Sequence, residues 1–142
     1  MTVVFVYGTL TDPARLSAVL DRGQLGPPAV CDGLQRVDGQ YPTLAPGEQT
    51  RGRLLSTPDI AALDSYEGVD RGLYCRLPVP LSSDATTTFE PPFGVESTEL
   101  YVGSPQLLGV DDVVEWPHSG TLRQQVERYV DSHSVRIRPV SH

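Results

Sequence analysis

The chain has 142 residues, a net charge of −7 and no lysine, its eleven basic residues all being arginine. That length suits a single domain with one real core, and the acid excess argues against nucleic acid or an anionic membrane surface as a partner. The run Val3-Val4-Phe5-Val6 predicts a strand buried on both faces, because four β-branched or aromatic residues in succession leave no polar face. It stops at Tyr7-Gly8-Thr9-Leu10, a turn in which Gly8 bares the backbone. Asp12 then caps a helix from Pro13 to about Leu20, with Leu16, Val19 and Leu20 facing inward. Gly23 to Pro28 reads as a terminating loop, Ala29 to Val37 as a strand, Asp38-Gly39 as a turn, Tyr41 to Gly47 as a loop and Arg51 to Leu55 as a strand. Thr57-Pro58-Asp59 offers an N-cap, a first-turn proline and an early acid for a helix over Ile60 to Glu67 that ends at Gly68. Leu73 to Leu81 alternates but carries Pro78 and Pro80, which confines it to a sheet edge or a bulge. Residues 82–95, rich in Ser, Thr and Pro, read as a mobile loop, and Thr98 to Val102 as a returning strand. Beyond residue 104 the pattern supplies one helix, opened by the capping box Thr121-Leu122-Arg123-Gln124 and running through Tyr129 and Val130.

Two places break local rules. A strand, a bare turn and a helix start in succession, from Val3 to Pro13, form a socket of backbone donors suited to a carboxylate or an oxyanion; the same turn also serves as a plain connection. Glu67 sits in the last turn of its helix, where the dipole disfavours a carboxylate. It is either a surface acid paired with Arg71 or Arg76, or a group kept there for its chemistry. Tyr7 and Tyr101 lie at strand ends, where an aromatic lines a pocket or joins the core. Tyr41 reads as a packing residue, Arg53 as a solvent-facing strand residue or a partner for a substrate carboxylate, and Asp64 as solvated. Cys31 and Cys75 lie in apolar runs without a ligand spacing and read as free buried thiols. The three histidines are scattered, so no metal site is expected. No leader pattern and no membrane-spanning run is legible, which points to the cytoplasm.

In register, these segments resemble the γ-glutamylcyclotransferase family in its small AIG2-like branch. The Phe-Val-Tyr-Gly-Thr-Leu opening matches Phe5 to Leu10, and Leu63-Asp64-Ser65-Tyr66-Glu67-Gly68 matches the family's helix end. Tyr41 to Gly47, Arg51-Gly52-Arg53-Leu54 and Tyr101-Val102 match three further segments, so the likeness spans residues 3–102. Residues 82–99 are longer and more polar than the family's hairpin, and 104–142 match nothing in it. The resemblance implies a single α+β domain over 1–142, whose mixed, strongly curved sheet forms a small β-barrel with two or three flanking helices. It implies conversion of a γ-glutamyl amine or γ-glutamyl amino acid to 5-oxoproline and a free amine, with no cofactor. Glu67 would be the acid/base catalyst, with Tyr7, Gly8, Thr9, Leu10 and Tyr101 around the substrate. The alternative on the same fold is a non-catalytic module that binds a γ-glutamyl or other small amino-acid ligand.

Overall fold

The computed structural model describes residues 2–8, 11–20, 22–81 and 97–139. Its centre is β1 (Thr2–Val6), whose Val3, Val4, Phe5 and Val6 are all buried. That follows from its neighbours: β1 runs antiparallel to β3 (Pro42–Thr57) on one side and parallel to β5 (Ser97–Gly103) on the other. A strand hydrogen-bonded on both edges and covered on both faces has to be apolar throughout.

The six-stranded sheet among the described residues has the order β4-β5-β1-β3-β2-β6. β2 (Gln24–Asp38) and β3 form a long hairpin, and β4 (Tyr74–Pro80) pairs antiparallel with β5. β4 is an edge strand, where the missing N–H groups of Pro78 and Pro80 do no harm. β6 (Arg136–Pro139) pairs with β2 at the opposite edge. The sheet curls until the two edges meet at an isolated parallel bridge between Leu81 and Ile137. Register shifts in β2 between Leu25 and Pro28 and between Asp32 and Leu34 supply the bends. Gly52 lets β3 lie against β1, since a Cβ there would come 2.2 Å from the Val6 carbonyl oxygen. The mixed, curled sheet with its flanking helices is the architecture that the resemblance implied.

Three helices decorate the sheet in the described residues: α1 (Pro13–Val19), α2 (Ile60–Glu67) and α3 (Leu122–Ser132). Asp12 caps α1 by accepting from the Ala14 N–H, and Leu16 and Leu20 are buried. α3 carries the expected capping box between Thr121 and Gln124 and buries Val126, Tyr129 and Val130. The Tyr129 hydroxyl donates to the Gly33 carbonyl at 2.8 Å, and its ring packs edge-on against Trp116.

Several sequence expectations need correction. Gly23 to Pro28 does not end in a loop, because β2 begins at Gln24, and Pro42 to Gly47 belongs to β3. α2 begins later than Thr57-Pro58 suggests: Thr57 ends β3, its hydroxyl accepts from the Asp59 N–H at 3.0 Å, and Asp59 is the N-cap. The expected loop over 82–95 lies outside the described residues. The tail contributes β6 as well as α3, with Leu108, Val110, Val114 and Trp116 buried in the common core.

Candidate active site

β1 delivers Tyr7 and Gly8 at its end. The turn closes at once, with Thr11 donating both its N–H and its hydroxyl to the Gly8 carbonyl, at 3.1 and 2.7 Å. Gly8 lies outside the left-handed region, and a Cβ on it would meet Pro42 at an ordinary 3.6 Å. Neither backbone conformation nor crowding therefore demands the glycine; what it leaves is bare backbone beside a cavity. Thr9 and Leu10 lie outside the described residues.

α2 delivers Glu67 from the other side. Only Leu63 of this eight-residue helix is fully sunk in the core, and so short a helix does not hold itself. Its end is fixed by Gly68, in the left-handed conformation at φ 74°, whose N–H bonds back to the Asp64 and Ser65 carbonyls. Asp64 supplies the second anchor. It accepts from the Tyr101 hydroxyl at 2.7 Å and from Arg76 at 2.8 and 3.2 Å, while Arg76 also engages Glu99. Asp64 is thus not the solvated acid that sequence suggested; it ties α2 to β4 and β5.

A cavity of about 370 Å³ separates these pieces. Tyr7, Gly8, Glu67 and Tyr101 all line it, as do Arg15, Tyr41, Tyr66, Arg71 and Tyr74. Tyr7 is buried and donates to the Tyr101 carbonyl at 2.6 Å, and the Tyr74 hydroxyl donates to the Pro42 carbonyl. The end of β1 is thereby tied through Tyr101 to Asp64, one turn from Glu67. Arg53 does not reach the cavity: it donates to the Gly26 carbonyl at 2.8 and 3.1 Å, at the first irregularity of β2. Neither Arg71 nor Arg76 forms an ion pair with Glu67 among the described residues. Burial pushes the Glu67 carboxyl from 4.5 up to about 7. Burial also raises Tyr7 and Tyr74, and the Glu67 charge adds to the effect on both.

Both cysteines are free thiols, and burial pushes Cys31 to about 12 and Cys75 to about 11. No cluster of His, Cys, Asp or Glu suited to a metal occurs among the described residues. No helix among them is long and apolar enough to cross a membrane.

The model of the AIG2-like gamma-glutamyl cyclotransferase family matches residues 4–117. The chain belongs to that family. No curated protein matches it. Among solved structures, a gamma-glutamyl cyclotransferase aligns at 13% identity with a TM-score of 0.58, covering 92% of this chain and 98% of the other. A protein of Arabidopsis thaliana solved in solution aligns at 24% identity and TM-score 0.53, covering 93% and 87%. An uncharacterized protein of Pyrococcus horikoshii aligns at 14% and 0.52, covering 94% and 98%. At such identities the likeness is one of fold. For this family member, sequence reasoning named Glu67, Tyr7, Gly8 and Tyr101 but not Arg15 or Tyr74 as cavity residues. The missing signal is tertiary: α1 and β4 reach the cavity only because the sheet curls.

Proposed function

We propose that this protein is a γ-glutamylcyclotransferase-type enzyme that converts a γ-glutamyl substrate to 5-oxoproline and a free amine. The observation that carries the reading is one half-buried carboxyl, Glu67, pushed up to about 7 and sharing a small cavity with Tyr7 and Gly8. A cavity of about 370 Å³ suits a small-molecule ligand.

The chemistry follows from the groups present. The α-ammonium of the γ-glutamyl unit gives a proton to the Glu67 carboxylate, and the freed amine attacks its own γ-carbonyl. A C–N bond forms, closing the five-membered ring and leaving an oxyanion on carbon. Glu67 returns that proton to the departing nitrogen as the oxyanion collapses and the original C–N bond breaks. The carboxylate so regenerated takes the second proton from the ring nitrogen, and that proton leaves with the released amine as its ammonium. A carboxyl near neutrality can both take and give that proton. Ring closure is intramolecular, so holding the bent conformer supplies several kcal/mol, ~7 at the well-oriented limit. A backbone donor on the oxyanion adds about 3 kcal/mol, a role we assign to the bare backbone of Gly8, which lines the cavity. The reaction requires neither metal nor organic cofactor.

Incubating the protein with a panel of γ-glutamyl amino acids and amines and measuring 5-oxoproline tests the reading. Glu67→Gln keeps the shape and removes the base, and lactam formation should fall at least ~100-fold with folding intact. Normal turnover by that variant removes Glu67 from the mechanism. Ligand binding without any turnover by the wild type would favour a binding module.

A further inference from the structure

Two guanidinium groups flank the cavity without a partner among the described residues. Arg15 stands on α1, and Arg71 ends the single 3-10 turn Val69–Arg71 that follows the Gly68 cap of α2; both are exposed and both line the cavity. The Arg71 guanidinium lies against Gly68, since a Cβ there would come 2.7 Å from its Nη2. It therefore sits beside the residue that follows Glu67. Arg53 and Arg76 are held by the Gly26 carbonyl and by Asp64 and Glu99. The guanidinium groups of Arg15 and Arg71, by contrast, make no hydrogen bond or ion pair among the described residues, in a chain with 18 acids to 11 arginines. Among the described residues that line the cavity, these two arginines are accompanied by one acid, Glu67.

We propose that Arg15 and Arg71 receive two substrate carboxylates, which makes the substrate class γ-glutamyl amino acids rather than γ-glutamyl amines whose leaving group lacks a carboxylate. The inference rests on the cyclotransferase reading above. A γ-glutamyl amino acid carries two carboxylates, one on the glutamyl unit and one on the leaving amino acid. The glutamyl carboxylate falls beside the turn and α1, within the province of Arg15. The leaving amino acid's carboxylate is two bonds from the nitrogen that Glu67 protonates, and so falls on the Arg71 side. A planar guanidinium matches a carboxylate in charge and in its paired donors.

The test compares γ-glutamyl-alanine with γ-glutamyl-ethylamide, which differ in the leaving-group carboxylate. The wild type should show a KM for γ-glutamyl-alanine at least about tenfold lower, the size expected of one charge-assisted contact. In Arg71→Gln the ratio of the two KM values should fall to about 1, while Arg71→Lys retains most of it. Arg15→Gln should raise both KM values in parallel. A purely structural Arg71, neutralising the helix end, would lower Tm in the Gln variant and leave the ratio intact. That result, or a wild-type ratio near 1, overturns the inference while the cyclotransferase reading stands. If neither compound is turned over, that reading falls, and calorimetric binding of both compounds to Glu67→Gln decides the arginines separately. Preference for γ-glutamyl-alanine there supports the inference; equal binding, or none, overturns it.

Discussion

Glu67 carries a conflict between stability and chemistry. Its folded pKa of about 7 exceeds the ordinary 4.5, so the folded state holds the proton more tightly than the unfolded chain. The stability linked to this group is fully present below pH 4.5 and is lost as pH rises through 7. Gln, always neutral, escapes the loss. Glu67→Gln should therefore be the more stable protein above pH 7, by up to about 3 kcal/mol in denaturant unfolding, with the gap closing below pH 4.5. Activity should run the other way, because the base works only when ionised. The acid limb of kcat/KM should have its midpoint near 7 and stay in place when substrates of different amine pKa are compared. A limb that follows the substrate amine, or lies near 4.5, would show that the limb does not report a half-buried Glu67.

At the scale of elements, α2 is held by its contacts more than by its own sequence. Only Leu63 is fully buried, and the N-cap side chain makes no capping bond. Asp64 compensates by hooking Arg76 and the Tyr101 hydroxyl. Asp64→Ala leaves the Tyr101 hydroxyl without its acceptor and Arg76 with Glu99 alone, which should destabilise the fold by about 1–3 kcal/mol. The freed helix end should let water reach Glu67 and move the acid limb of activity downward from about 7. Unfolding midpoints and pH profiles of the variant measure both effects; a solvated Asp64 would alter neither.

For the molecule as a whole, closure of the sheet brings the late residues into the early core. Ile137 is fully buried, lies opposite Cys31 on β2, and bridges to Leu81 beyond β4. Ile137→Ala should cost about 2–5 kcal/mol through lost burial and the cavity left behind, measured by chemical denaturation. A loss under 1 kcal/mol, the size typical of surface substitutions, would mean that the edges of the sheet are not held together there. The same closure brings α1, α2 and β4 around one cavity, so the site is a property of the curled sheet and not of any one segment.

Local chemistry was enough to read β1, α1 and the capping box of α3 from the chain. An unbroken apolar run, Asp12 before Pro13 and the Thr121–Gln124 pair each act within a few residues. Gly68 likewise marked the end of α2, because a left-handed cap favours glycine. The full length of the β2–β3 hairpin was not legible. Pro27, Pro28 and Pro46 read as breakers, yet Pro28 follows a bulge in β2 and Pro46 lies opposite Leu34 beside the second, where a missing N–H is tolerated. β6 was hidden because Arg-Ile-Arg-Pro offers one deeply buried aliphatic side chain, and its pairing partner lies about a hundred residues earlier. Glu67 was conspicuous as an acid at the wrong end of a helix. Its burial, the capture of Arg76 by Asp64 and the placing of Arg15 and Arg71 at one cavity depend on contacts between distant segments, which only the folded chain supplies.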